Sequence, residues 1–222
     1  MHGCTITTPR YRAHARVLAE SFLAHNPGAS FSVLSIEDPG ALPARGDEQF
    51  EILTPSDVGI DRGELHRRAT MYLTQGLATS MKPNLLLTLM ERREEPIVLL
   101  DADGCVYDGL SLLGRLASSH SLVLSPHSLD PHPISRLESP EQQFLRAGVM
   151  NAGLIGVGGG ASQFLRWWAQ RTARDCIVDQ RRGLLFEQNW LTLATALFDH
   201  HVLRDRGCNV AGWNLQARSR ST

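Results

Sequence analysis

Pro96-Ile97-Val98-Leu99-Leu100-Asp101-Ala102-Asp103 is the stretch that decides how this chain is read. The apolar run from Pro96 to Leu100 is too short for an independent helix. It reads as a strand covered on both faces, as in the middle of a mostly parallel sheet. In such sheets ligands sit outside the carboxyl ends of the strands, and this strand ends on two aspartates at i and i+2. Carboxylates placed directly after a buried strand are costly unless something compensates them. A divalent cation with a diphosphate is the usual compensation, because Mg²⁺ or Mn²⁺ takes oxygen from one or two carboxylates and completes its shell with substrate phosphates. A solvated turn capped by its own aspartates is the alternative.

Working outward, strand-like and helix-like stretches alternate. Thr5 to Thr8 is a short β-rich run ended by Pro9, and Ala15, Leu18, Phe22 and His25 recur at helical spacing from about Arg12 until Asn26-Pro27-Gly28. Phe31 to Ile36 and Phe50 to Leu53 read as strands, with Asp38-Pro39-Gly40 as the turn between them. A helix is expected from about Arg62 to Leu77 and another from Lys82-Pro83 to about Glu94, proline being tolerated in a first turn. Beyond the central stretch come strands at Ser121 to Leu124 and Asn151 to Val157, then a helix carrying Phe164, Trp167 and Trp168. Last are a helix over about Gln188 to Leu197 and short strands at Val202-Leu203 and Asn209 to Trp213. This alternation argues an α/β fold with helices on both faces of a mostly parallel sheet. Without an internal repeat or linker, residues 1–222 are expected to form a single domain.

Composition narrows the function. Apolar residues at 42% and charged residues at 20% are globular values, and a formal net charge of −1 without a basic cluster argues against a nucleic-acid partner. No window has the apolar length of a membrane span, and the N-terminus lacks a secretory pattern. Cys4, Cys105, Cys176 and Cys208 lack zinc or redox spacing, so free buried thiols in the cytoplasm are expected. His200-His201 are expected on opposite sides of a strand. Of the 22 basic residues 21 are arginine, a bias expected of a GC-rich bacterial genome, and Lys82 is the single lysine. A cation near a helix N-terminus is disfavoured by the dipole, so Lys82 suggests a compensating anion. Phe164, Trp167 and Trp168 fit a core; Trp190 and Trp213 are candidates to stack an acceptor. Arg92-Arg93 and Arg181-Arg182 read as solvated helix-end charges, and His127 and His132 as loop residues open to an acceptor-side role.

These segments, in this order, resemble the nucleotide-sugar transferases of the GT-A fold, especially family 8-like glycosyltransferases. Asp101-Ala102-Asp103 resembles their DxD motif, whose aspartates bind the metal bridging the nucleotide diphosphate. Asn151-Ala152-Gly153 resembles their N-x-G segment, which binds donor sugar. Glu187-Gln188 stands where they often have Asp-Gln near the anomeric carbon, and Lys82 where they carry a basic residue reaching the donor. Thr5 to Thr8 and then Tyr11 resemble the strand and loop that hold base and ribose, placing Thr7, Thr8 and Tyr11 on the substrate. The resemblance spans about residues 4 to 214. It implies a GT-A-type domain, a nucleoside diphosphate sugar donor with an unknown acceptor, and Mn²⁺ or Mg²⁺ on Asp101 and Asp103. Gln188 and Glu187 would serve beside the anomeric centre, with retention of configuration and transfer to a hydroxyl. The chain departs from the family at Glu187, where aspartate is common, and in lacking a C-terminal histidine as third metal ligand before Arg218 to Thr222. A domain cut from a longer protein, or a metal held by two residues, would account for that.

Three alternatives stand beside this reading, the first on the same residues. Leu99 to Asp108 also resembles the first motif of haloacid-dehalogenase-like phosphatases, with Asp101 as nucleophile, Asp103 as acid/base and Ser125 as second motif. That motif normally opens its domain, whereas 95 residues precede Pro96 here. Gly156 to Ala161 fits G-x-G-x-x-A with Asp179 as ribose acid, yet too little chain follows for a dinucleotide enzyme. A non-catalytic nucleotide-sugar-binding domain is the third.

Overall fold

The structure is a computed structural model that describes residues 1–36, 49–132 and 140–215. The sheet is built from β1 (His2–Thr7), β2 (Ser30–Ser35), β3 (Glu51–Leu53), β4 (Ile97–Leu100), β5 (Leu122–Pro126), β6 (Met150–Val157) and β9 (His201–Val202). Their order is β3-β2-β1-β4-β6-β5-β9, and β6 alone runs against the others. A separate two-stranded ribbon joins β7 (Val178–Asp179) to β8 (Leu184–Leu185).

The reversed β6 explains how the site is assembled. An antiparallel strand presents its beginning beside the end of its neighbour, so Asn151 to Gly153 lie beside the carboxyl end of β4. The Asp101 amide continues that ladder by donating to the Gly153 carbonyl at 2.9 Å.

Alternation along the strands splits the core between the faces. Leu34, Ile97, Leu99, Leu122, Leu124, Ile155 and Val157 point to one side, where α4 (Lys82–Arg92), α7 (Ser162–Asp175) and α8 (Asn189–Leu197) cover them. Val33, Val98, Val123 and Leu154 point to the other, under α1 (Arg12–His25) and α5 (Ser111–Ser119). Phe164 and Trp168 are core residues, as expected, and Trp167 packs against them.

Some boundaries differ from the sequence reading. The helix expected over 62–77 is two, α2 (Arg62–Met71) and α3 (Thr74–Thr79). Tyr72 between them is extended and buried, its hydroxyl donating to the Thr172 carbonyl at 2.8 Å, and this anchor takes the chain out of helical register. Helices α5 and α6 (Pro140–Ala147) form in segments to which the sequence reading assigned no element. No strand forms over Asn209 to Trp213; Asn209 has a left-handed φ of 55°, and Asn214 folds back to accept from the Ala211 amide at 2.8 Å. The expected turn at Asp38-Pro39-Gly40 and the C-terminal Arg218 to Thr222 lie outside the described residues. All four cysteines are free, but only Cys4 and Cys176 are buried; Cys105 is exposed. No described helix is long and apolar enough to cross a membrane.

β1 also starts earlier than read, and its first residue anchors a polar network at the amino end of the strands. His2 is buried, with Nδ1 2.7 Å from Ser30 Oγ and Nε2 2.9 Å from Ser32 Oγ. Arg93, read as a solvated charge, bonds to Ser30 and Glu51 in the same network, while Arg92 donates to the Asp57 carbonyl. Burial first, and the Arg93 charge second, push the His2 pKa from 6.5 down to about 3. The unfolded chain therefore binds a proton that the folded chain refuses, and stability present above pH 6.5 is lost as pH falls toward about 3. Denaturant midpoints of the wild type should fall more steeply across that window than those of His2→Gln; parallel slopes would refute the assignment.

Candidate active site

The site is built around a buried ammonium. Lys82 opens α4, and its side chain reaches the carboxyl end of the central strand β4. Nζ donates to Asp101 Oδ1 at 2.8 Å, Glu187 Oε1 at 2.7 Å and the Ala152 carbonyl at 3.0 Å. Lys82 and Glu187 are each 4% exposed. The three ammonium hydrogens are thus all used inside the protein. Burial alone would lower the Lys82 pKa, but Asp101 and Glu187 outweigh it and the net shift is upward. The single lysine is therefore neither an exposed helix-start charge nor a cation with a free hydrogen for a diphosphate. It is the tie between two carboxylates.

That tie changes the reading of Asp101 and Asp103. Asp101 is compensated internally and its side chain is 48% exposed. Asp103 is exposed, and among the described residues its carboxylate has no hydrogen bond or ion pair. The expectation of two costly buried acids is corrected: the strand turns outward at Asp101, where the Gly104 amide bonds back to the Asp101 carbonyl at 3.0 Å. What remains is a pair of hard oxygen donors. Asp101 has Oδ1 fixed by Lys82, and Asp103 is open; that donor set fits Mg²⁺ or Mn²⁺. Among the described residues no third histidine, cysteine or acid joins them as a cluster.

The N-x-G segment forms the floor. Asn151 is pinned at both ends of its carboxamide: Oδ1 accepts from the Gly153 amide at 2.8 Å, while Nδ2 lies 3.2 Å from both His127 Nε2 and Gln188 Oε1. At Gly153 a Cβ would stand 2.7 Å from Asn151 Oδ1 and 2.8 Å from Asp101 Oδ2. Glycine here lets a carboxylate and a carboxamide close over the backbone. Ala152 has its side chain in the core, and only its backbone serves the site.

Gln188 acts as a strut. Its Oε1 also accepts from the Ala152 amide at 3.3 Å, and Nε2 donates to the Ala147 carbonyl at 2.8 Å. In this structure the expected pair at the anomeric centre, Glu187 and Gln188, is engaged with the protein itself. Glu187 is buried on Lys82, and both ends of the Gln188 amide are engaged.

The remaining expected residues divide. Thr7 is buried, its hydroxyl donating to the Thr8 carbonyl at 3.1 Å. Thr8 and the 45%-exposed Tyr11 lie at the surface just beyond the carboxyl end of β1. Trp190 packs edge-on to Trp167 at 6.1 Å against the core. Trp213 is exposed and lines a cleft of about 850 Å³ together with Asp101, Asp103, Asn151 and Gly153.

His127 is the residue the sequence undervalued. It is buried at the end of β5, stacked flat on Phe144 at 5.2 Å and set edge-on to Trp213 at 6.0 Å. Burial lowers its pKa, and the Gly148 and Val149 carbonyls oppose that shift. The only available signal was its place three residues after the apolar strand that ends at Leu124. His132 bonds to Ser128 and also packs on Phe144, at 5.8 Å and tilted. His201 stacks on His120 at 4.8 Å, away from the cleft-lining residues.

The glycine-rich turn has a packing explanation. A Cβ on Gly158 would collide with the Ala117 carbonyl oxygen, so the turn needs glycine to lie against the end of α5. Asp179, the supposed ribose acid, accepts from the Arg181 and Arg182 amides and caps a 3₁₀ turn.

No protein-family model matches the chain, and no curated protein matches it. Solved structures do. A galactosyltransferase, LgtC, in complex with donor and acceptor sugar analogues aligns over 93% of this chain and 74% of its own, at 19% identity and TM-score 0.55. An active-site mutant of LgtC aligns over the same shares at 20% identity and TM-score 0.51. The glycosyltransferase GlyE of Streptococcus pneumoniae TIGR4 aligns over 92% of this chain but 46% of its own, at 14% identity and TM-score 0.57. The chain thus spans about half the length of GlyE and three quarters of LgtC. Its fold is the GT-A-type arrangement of nucleotide-sugar glycosyltransferases.

Proposed function

We propose that this chain is a metal-dependent glycosyltransferase that moves a sugar from a nucleoside diphosphate sugar to an acceptor hydroxyl, with retention of configuration. One observation carries the reading. Two outward-facing carboxylates at the carboxyl end of a central strand meet a pinned Asn-x-Gly floor in a cleft, on the fold of such transferases.

Asp101 and Asp103 would hold Mn²⁺ or Mg²⁺, which supplies neutralising charge to the departing diphosphate. The chain's own residues do the positioning. Lys82 fixes the Asp101 carboxylate through Oδ1, and Glu187 fixes Lys82 in turn. Gln188 and His127 hold the Asn151 carboxamide, so that the floor keeps its shape when a donor sugar rests on it. Buried, hydrogen-bonded supports of this kind keep a site preorganised. Tyr11 and Thr8 stand at the end of β1, where a base and ribose would lie. Glu187 and Gln188 act by holding neighbours, and a direct role at the anomeric centre would need them to exchange those partners.

The phosphatase alternative is separable. It requires Asp101 to attack phosphorus, yet Asp101 Oδ1 is tied to an ammonium that would oppose its use as a nucleophile. A thermal-shift panel should show stabilisation by a nucleoside diphosphate with Mn²⁺ and none by beryllium fluoride with Mg²⁺. A ligand at 100 times its Kd adds about 2.7 kcal/mol. The reverse pattern would replace the transferase with the phosphatase, and a response to neither would remove both.

A further inference from the structure

Asn151 has no freedom of orientation. Its Oδ1 accepts from the Gly153 amide at 2.8 Å, so the other end of the carboxamide is an NH₂ group with two hydrogens to place. Gln188 takes one of them. Its Nε2 donates to the Ala147 carbonyl at 2.8 Å, which leaves Oε1 as the acceptor 3.2 Å from Asn151 Nδ2. The second hydrogen meets His127 Nε2, also at 3.2 Å. A nitrogen that faces a donor must offer a lone pair, so the ring is neutral and carries its proton on Nδ1.

The surroundings favour that state. His127 is 7% exposed, flat on Phe144 of α6 and edge-on to Trp213, and its carbonyl is taken by Asn214. Few charged groups stand on the elements packed against it. Helix α6 brings Glu141, which accepts from the His132 amide at 2.6 Å, and Arg146. The loop after β5 brings Asp130, paired with Arg206, and His132 on Phe144. Strand β6 and residues 209–215 bring none. Burial therefore dominates and lowers the pKa from 6.5, against the smaller pull of the Gly148 and Val149 carbonyls.

We infer that His127 is a positioning residue that holds the Asn151 floor only as a neutral Nδ1–H ring, so that its protonation in mild acid frees the carboxamide and loosens the grip on a donor sugar. A proton on Nε2 sets N–H against NH₂ at 3.2 Å, and a bond becomes a repulsion. Asn151 cannot answer by turning over: its NH₂ would then face the Gly153 amide, and its oxygen would face Gln188 Oε1. Asn151, Gly153 and Gln188 do not titrate, so the ring is the route by which pH reaches the carboxamide. The words donor sugar rest on the transfer reading above; the coupling of ring to carboxamide does not.

The first test needs no ligand. Nitrogen NMR of the whole chain follows the His127 ring and the Asn151 NH₂ group as pH is lowered. At neutral pH the proton should sit on Nδ1, and the Asn151 signals should move with the ring's own midpoint, below pH 6.5. The second test compares affinities for UDP-glucose and UDP, both with Mn²⁺, because their ratio cancels the titration of metal and diphosphate. That ratio should fall about tenfold across the same midpoint, the order of one hydrogen bond's support. His127→Gln can offer an oxygen at every pH and should abolish the acid limb. His127→Phe fills the aromatic slot without an acceptor and should show the low ratio at every pH. A neutral ring protonated on Nε2, or Asn151 signals that ignore the ring, would overturn the inference. So would a ratio indifferent to pH, or a phenylalanine variant with the wild-type profile. If neither UDP nor GDP bound at all, the transfer reading would fall, and the NMR titration would still decide the coupling.

Discussion

Replacing Lys82 by alanine should lower the unfolding free energy by about 3–5 kcal/mol, the cost of leaving a buried charge without its partner. Lys82 and Glu187 are both buried, at 2.7 Å, and Asp101 shares the same ammonium. Deleting the lysine strands Glu187 in a core where its carboxylate meets no other cation among the described residues. Most of the loss should therefore return in Lys82→Met combined with Glu187→Leu, which replaces the buried pair by apolar volume. Urea denaturation of the three proteins measures both halves. A loss under about 1 kcal/mol in Lys82→Ala would mean that Lys82 is a surface lysine after all. The same double variant separates stability from chemistry: folded again, it should still bind nucleotide poorly, because Asp101 is no longer oriented.

Asp103→Asn tests the opposite kind of residue. Asp103 is exposed and without a partner among the described residues, so the melting temperature of the free protein should not change measurably. Binding of UDP or GDP in the presence of Mn²⁺ should nevertheless fall by at least about a hundredfold, since loss of outer-shell support alone costs 10–100-fold in metal affinity. Isothermal titration with and without Mn²⁺ reads this directly. Unchanged affinity would sink the assignment of the metal to Asp101 and Asp103. The two variants thus separate stability from binding: Lys82 supports both the core and the orientation of Asp101, whereas Asp103 serves the ligand alone.

Much of the architecture was legible because it rests on local pattern. The run from Ile97 to Leu100 is a central strand for the reason its composition suggests, and α1 follows the spacing of Ala15, Leu18 and Phe22. What local pattern missed was decided at a distance. The break at Tyr72 depends on a carbonyl 100 residues away, at Thr172. The reversal of β6 leaves no trace in its apolar residues, because a strand buried on both faces reads the same in either direction. At the site, sequence order placed Asp101, Asp103, Asn151 and Gly153 together correctly in space. It could not show that Lys82 spends its hydrogens on Asp101, Glu187 and Ala152, nor that Trp190 turns inward while Trp213 turns outward. Identical residue types were sorted by packing partners that only the tertiary structure supplies.

The position of β6 has a consequence for how the chain acquires its shape. β6 lies between β4 and β5, yet it follows both in the sequence. A chain emerging from the ribosome can join β1, β2, β3 and β4 early, but one edge of β4 stays unpaired until residue 157 has appeared. An exposed apolar strand edge is a template for pairing with another molecule. Sheet closure and completion of the cleft are then a single late event, since Asn151, Gly153 and Glu187 arrive only with or after that strand. Nascent chains arrested before it should aggregate through β4, and chains released beyond it should acquire ligand-binding competence and resistance to aggregation together.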